Sequence, residues 1–307
     1  MTLSTVTAPI NDLHTVKDWI RWGASIFNRA ELFFGHGTDN AWDEAAVLVL
    51  WAIAQPWERL GVISDCRLTD DEKNVITYLF NQRIELRVPA AYLTGEAWFA
   101  GLQFKVTPDV LVPRSPIAEL LAVGFEPWLT VYPAKILDMC TGSGCIGIAC
   151  AMYFEDAEVD LVDISPEALL VAQENISKHA VNDRVRAIES DGFSALGGGG
   201  YDLIVSNPPY VDAADLASMP QEYHAEPELG LASGDDGLDF TRTMLQEASE
   251  RLNVGGLLVV EVGNSWEALE EAYPQISFLW PEFENGGHGV FVLTQAQLAE
   301  AFPKKLN

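Results

Sequence analysis

The stretch "ILDMCTGSGCIGIACA" (Ile136 to Ala151) constrains this chain most. It reads as a buried strand, a Gly-rich turn and the opening of a helix in one run. Gly142, Gly144 and Gly147 satisfy the G-x-G-x-x-G spacing directly after the strand. Such glycines let backbone N–H groups approach a ligand at a helix N-terminus. Asp163 ends the next strand, "EVDLVDI", where a carboxylate can accept both hydroxyl hydrogens of a ribose. An adenosine-containing ligand is the expectation. The spacing alone leaves a nicotinamide dinucleotide and S-adenosylmethionine equally open.

The rest of the chain agrees with an α/β domain. From residue 118 onward, strand candidates "KILDMC", "EVDLVDI", "VRAIES", "YDLIVS", "GLLVVEV", "ISFLWPEF" and "GVFVLT" alternate with helical stretches such as "SPEALLVAQENISKHA". This predicts a Rossmann-like, doubly wound, mostly parallel sheet of seven strands over 118–307. Only the short turn "ENGGHG" separates the last two strands, so they should be antiparallel neighbours. Residues 1–85 carry helical periodicity without strand alternation and predict a small all-α domain. Between them, 86–117 is punctuated by Gly95, Gly101, Pro108 and Pro113 and reads as a β-hairpin connector.

Composition narrows the partners. At 307 residues, one large and one small domain is the better prior. The start, "MTLSTVTAPINDLHTV", has neither a basic n-region nor an apolar h-region, so no signal peptide is expected. The longest apolar run, "AAVLVLWAIA", is too short to span a bilayer. The four cysteines make no disulfide framework, which fits a reducing cytoplasm. Cys140, Cys145 and Cys150 lack a C-x-x-C pair and read as packing residues, so no metal is expected. Forty-five acidic against 18 basic residues give a net charge of −27. That surface disfavours direct nucleic-acid binding and favours a basic protein partner.

Two features tilt the ligand toward the methyl donor. Asp138 lies on the strand before the turn, giving D-x-x-x-G-x-G, and a carboxylate there suits a cationic methionine end better than a pyrophosphate. The terminal antiparallel pair is the second. Together they resemble class I S-adenosylmethionine-dependent methyltransferases. On that resemblance Asp138, Thr141, Gly142, Ser143, Gly144, Asp163 and Asn207 line the donor, with Asp191 near the adenine amine and Phe193 a candidate for stacking on the ring, which the intervening Gly192 leaves open.

"VSNPPYVD" (Val205 to Asp212) follows the fourth strand, at the sheet edge where such folds bind ligands. It resembles the D/N-P-P-Y/F/W motif of methyltransferases acting on a planar, conjugated nitrogen. The Asn207 side-chain oxygen and the Pro208 carbonyl can each accept one N–H, and Pro209 offers no competing donor. Tyr210 can stack on a flat substrate group. Adenine, cytosine and glutamine amide nitrogens all fit.

"VPAAYLTGEAWFAGLQFKV", "LDMCTGSGCIGIA", "VDISPEAL" and "SNPPYV" are together similar to the protein-glutamine N-methyltransferase family, in which a helical domain precedes the catalytic one. Where the release-factor branch has Arg-Pro-Asp/Glu-Thr, this chain has "VLVPRSPIAEL", which with "FFGHGTDNAWDEA" looks like the branch that methylates a glutamine of large-subunit ribosomal protein L-three. The resemblance implies that basic protein as substrate. A release factor and an adenine in nucleic acid are the alternatives. Arg114 reads equally as a grip on the connector or on a substrate carbonyl, and Glu261 as a site-rim group or a buried, paired carboxylate.

Overall fold

Local sequence explains where the three longer helices start in the first part of the chain. The computed structural model describes residues 11–303, so part of the segment behind the signal-peptide expectation, residues 1–10, lies outside the described residues. Helix α1 (Val16–Arg29) opens on a Thr15–Asp18 capping box, α2 (Ala41–Ala52) on Asn40, and α4 (Asp70–Glu85) on a Thr69–Glu72 capping box. The short α3 (Leu60–Ile63) and α5 (Ala90–Thr94) complete the set. Trp19, Ile20, Phe27, Leu48, Val49, Ile76 and Phe80 form its core.

This unit comprises the described residues up to Glu96 together with Pro220–Ala225, a segment reached only after "NPPY". The compact unit therefore runs past the sequence-based boundary at residue 85, to Glu96, and takes in a distant segment as well. A buried ionic cluster explains why 220–225 joins it. Arg83 Nε donates to Glu44 Oε1 at 2.6 Å, Nη1 to Glu222 Oε1 at 3.2 Å and Nη2 to the Phe33 carbonyl at 2.7 Å. Glu222 also accepts from the Phe33 N–H at 3.1 Å. Burial pushes the Glu222 carboxyl upward, but these donors and the Arg83 charge win and hold it below the usual carboxylate range.

The second unit holds Ala97–Met219 and the described residues from Glu226 onward. A hairpin of β1 (Glu96–Phe99) and β2 (Leu102–Lys105) leads through α6 (Ile117–Ala122) to the main sheet. That sheet alternates β3 (Lys135–Met139), α7 (Cys145–Tyr153), β4 (Glu158–Asp163), α8 (Pro166–Lys178), β5 (Val185–Glu189) and β6 (Tyr201–Ser206). After α9 (Ala213–Ser218) and α10 (Asp239–Arg251) come β7 (Leu252–Glu261), α11 (Trp266–Ala272), β8 (Val290–Thr294) and α12 (Gln295–Ala301). Strand order is β5-β4-β3-β6-β7-β8, with β8 antiparallel to β7 and the other pairs parallel.

Alternate strand residues feed two cores. Ile136, Leu161, Val205 and Val259 face α7 and α8, while Leu137, Ile204, Leu258 and Val260 face α10 and α12. Burial on both faces is why these strands read as unbroken apolar runs.

The sheet has six strands, not the seven expected. "ISFLWPEF" contributes one antiparallel bridge, Leu279 to Val292. Pro281 removes the next donor, and Phe278 and Trp280 pack on Phe291 instead.

Chain order reverses at β3, which has β4 on one side and β6 on the other. The crevice outside the carboxyl ends of β3 and β6 is therefore the topological switch point. Asp163 follows Val162, which pairs with Met139; Met139 pairs with Ser206, and Ser206 with Val260. One step further along each strand, Asp163, Cys140, Asn207 and Glu261 form a row along that edge.

Candidate active site

Asp138 sits one residue inside the sheet edge and is 1% exposed. Its Oδ2 accepts from Thr141 Oγ at 2.5 Å and from the Gly147 N–H at 2.8 Å. Gly147 makes the second bond possible: a Cβ there would stand 2.2 Å from Leu161 and 2.8 Å from Asp138 Cβ, so any other residue would drive α7 off β3. Asp138 Oδ1, by contrast, is buried and has no hydrogen-bond partner among the described residues. Burial pushes the Asp138 carboxyl up to about 7, against the Thr141 and Gly147 bonds, and the nearby Asp163 charge adds to the rise.

The Gly-rich turn is held from several sides. The Thr141 N–H donates to the Val162 carbonyl at 2.9 Å, and the Gly142 N–H to Asp163 Oδ2 at 2.9 Å. Asp163 Oδ1 accepts from the Ser165 N–H at 3.0 Å, and burial raises this carboxyl too. The buried Asn175 side chain of α8 donates to the Ser143 carbonyl at 2.9 Å while its Oδ1 takes the Lys105 N–H at 2.7 Å. The turn is thus locked to the hairpin. Gly144, with φ of +81°, starts α7.

On the other side of the crevice, Ser206 Oγ donates to the Met139 carbonyl at 2.7 Å and ties the end of β6 to the end of β3. Asn207 follows at once. Its Oδ1 is the second buried, unpartnered side-chain oxygen at this edge. Pro208 is buried and Pro209 half-buried. Val211 is pinned to residues 231–233 by bonds of 2.8 and 3.0 Å, which fixes the far end of the turn. The sequence-expected Asp138, Thr141, Gly142, Ser143, Gly144, Asp163, Asn207 and Pro208 therefore converge on the β3–β6 crevice.

The structure narrows three readings. Phe193 is 1% exposed, shares a core cluster with Leu258 and Met244, and carries the Arg251 guanidinium 5.6 Å from its ring centroid. Gly192, at φ +53°, turns the chain so that Phe193 enters the core while Asp191 stays exposed. Arg114 grips the connector: its guanidinium forks onto Glu226, Nη1 to Oε1 at 2.6 Å and Nη2 to Oε2 at 2.5 Å, and also donates to the Val112 carbonyl at 3.3 Å. Glu261 is the buried, paired carboxylate, 4% exposed, accepting from Ser115 Oγ and the Tyr210 hydroxyl. The Ser115 link spans 146 residues and has no signature in the sequence.

Cys145 and Cys150 are packed in the core, and burial pushes the Cys145 thiol up to about 12. No group of His, Cys, Asp and Glu among the described residues is disposed to hold a metal. No single helix among them is long and apolar enough to cross a membrane.

Comparison with known proteins fits this geometry. The chain is 50% identical over 300 residues, 96% of its length and 96% of the relative's, to a ribosomal protein uL3 glutamine methyltransferase of Francisella tularensis subsp. tularensis. The chain belongs to the uL3 glutamine methyltransferase family. A second member, from Xanthomonas campestris pv. campestris, is 50% identical over 293 residues, covering 95% of this chain and 94% of that protein. Residues 120–222 of this chain match the methyltransferase small domain family. The catalytic domain of hMettl16 in complex with a MAT2A 3′UTR hairpin shares the fold, with TM-score 0.50 and 14% identity over 73% of this chain and 81% of that one.

Proposed function

We propose that this chain transfers a methyl group from S-adenosylmethionine to the side-chain amide nitrogen of a glutamine in ribosomal protein uL3. One observation carries the chemistry: Asp138 Oδ1 and Asn207 Oδ1 are buried acceptors without donors at the switch point. Each such atom costs about 1–3 kcal/mol, which a ligand bearing N–H groups or positive charge would recover. The choice of substrate rests on the 50% identity to proteins named for uL3, and the −27 charge complements a basic ribosomal protein.

These residues fit the methyl donor. Asp138 Oδ1 would face its cationic methionine portion, Asp163 its ribose hydroxyls, the 141–144 turn its backbone-facing side and Asp191 its adenine amine. When bound, the donor supplies an electrophilic methyl group on a sulfonium. The protein's part is to prepare the acceptor. An amide nitrogen is a poor nucleophile because its lone pair is shared with the carbonyl. Asn207 Oδ1 and the Pro208 carbonyl would each accept a hydrogen bond from one of its two N–H groups, which fixes the nitrogen and enriches it. As the N–C bond forms, the sulfur leaves as S-adenosylhomocysteine and one amide hydrogen departs to solvent as a proton. Pro209 keeps that turn rigid and Tyr210 borders it. The helical unit serves in substrate recognition, and the reaction belongs in the cytoplasm.

The test is incubation with labelled donor and purified uL3, release factor or oligonucleotide. Methyl label on a uL3 glutamine is expected. Label confined to release factor or nucleic acid would overturn the reading.

Two donor-site predictions accompany it. Asp163→Ala should weaken donor binding at least tenfold by calorimetry; an unchanged Kd would remove Asp163 from the site. Asp138 titrates near 7, and a cationic ligand prefers its ionised form. Donor affinity should therefore rise on the order of tenfold from pH 5.5 to 7.5, with proton release near pH 6.5. For the free protein, stability should carry the opposite sign. The raised pKa stabilises it fully below the unfolded value of about 3.9, and this is lost as pH rises through about 7. Asp138→Asn should flatten the affinity profile; a profile unchanged in that variant would exclude Asp138 as its source.

A further inference from the structure

Glu261 stands at the level of Asn207 on the neighbouring strand, one step beyond the Ser206–Val260 pair. Both of its oxygens are occupied. The Tyr210 hydroxyl donates to Oε1 at 2.9 Å, and Ser115 Oγ donates to Oε2 at 2.6 Å. Ser115 Oγ in turn accepts from the Ile117 N–H at 3.2 Å, at the start of α6. The carboxylate thus joins the connector to the turn that begins at Asn207.

Tyr210 is held at two further points. Its carbonyl accepts from Ser265 Oγ at 2.8 Å. Its ring lies against Gly263, where a Cβ would come within 2.5 Å of a ring carbon. Behind it, a Cβ on Gly237 would fall 2.2 Å from the Tyr210 carbonyl oxygen. Hydroxyl, ring and carbonyl are each seated on a different group.

We propose that Glu261 is a positioning residue for methyl transfer: by holding the Tyr210 hydroxyl it fixes the Asn207–Tyr210 turn in the shape that receives the target amide. This rests on the function proposed above. A stability role alone accounts poorly for the arrangement, because a buried carboxylate is costly and an apolar residue packed there would serve as well. Burial pushes Glu261 up to about 7, against the Ser115 and Tyr210 hydrogen bonds and the Arg114 charge. A rigid turn offsets the cost of burial during transfer, since a misplacement of about 1 Å at a reacting centre lowers rate about 100-fold.

The experiment compares Glu261→Ala, Glu261→Gln, Tyr210→Phe and the Glu261→Ala/Tyr210→Phe pair in the full chain. Donor Kd, kcat and KM with purified uL3, and hydrogen exchange over residues 207–211 are measured. For Glu261→Ala, kcat should fall roughly tenfold to 100-fold while donor Kd and KM stay within about threefold. Exchange over 207–211 should accelerate about tenfold with β6 unchanged. Glu261→Gln keeps an acceptor for one hydroxyl and should retain kcat within about fivefold. The double variant should be no worse than the worse single one. Unchanged exchange over 207–211 in Glu261→Ala, or a kcat loss that adds fully to that of Tyr210→Phe, would overturn the proposal. If Glu261→Ala does not fold, Tyr210→Phe carries the same reading: unchanged exchange there overturns it. A wild-type enzyme that leaves uL3 unmethylated, with exchange altered as expected in the variants, sinks the proposed function and leaves the positioning role standing.

Discussion

Asn207→Ala is expected to lower methyl transfer to uL3 roughly 100- to 1,000-fold while changing donor affinity less than about threefold. The asymmetry follows from where the side chain sits. Asn207 Oδ1 is buried at the end of β6, anchored from behind by the Ser206–Met139 bond and from ahead by the pairing of Val211. Removing the amide deletes one of two proposed acceptors for the target nitrogen without moving the Gly-rich turn, whose supports come from Asp163, Val162 and Asn175. Single-turnover kinetics with saturating donor, alongside calorimetric donor binding, separates the two effects. Normal turnover in this variant would sink the proposed role.

The largest expected stability effect lies elsewhere, at Arg83. Arg83→Met should destabilise the helical unit by about 3–5 kcal/mol, because it strands the buried Glu44 carboxylate and leaves Glu222 with Arg87, at 3.4 Å, as its remaining counter-charge. Side-chain exposure is 1% for Arg83, 1% for Glu44 and 3% for Glu222, so water cannot take over the lost partner. Replacing Arg83 and Glu44 together by apolar residues should recover most of the loss, since Glu222 keeps Arg87 and no buried charge is left without a partner. Chemical denaturation followed by tryptophan fluorescence measures both. A loss below about 1 kcal/mol for Arg83→Met would mean that the cluster is not the anchor described here.

Much of the site was legible in the sequence because its chemistry is local. Asp138, Gly142, Gly144 and Gly147 lie on one strand–turn–helix run, and Asn207 to Tyr210 on one turn, so spacing alone brings each group together. What was not legible depends on long-range pairing. Ser115 meets Glu261, and Arg83 meets Glu222, across 146 and 139 residues of sequence. The same reason applies to Arg114, whose partner Glu226 lies 112 residues away in sequence and folds back onto it. Phe193 is a smaller case, where Gly192 turns the chain and the aromatic side chain enters the core. The missing strand was a matter of register, since "ISFLWPEF" has strand composition but Pro281 interrupts its ladder.

The four-residue scale of the "NPPY" signature hides how the chain is wired. After that turn the polypeptide returns to the helical unit for Pro220–Ala225 and then leaves it again. The helical part is consequently not a detachable module. A truncation that stops at Glu96 would carry Arg83 without Glu222, and a chimera that replaces the first 96 residues would keep Glu222 while removing Arg83, its partner 139 positions upstream. Grafting experiments aimed at changing substrate choice need to move both pieces together, as one discontinuous cassette.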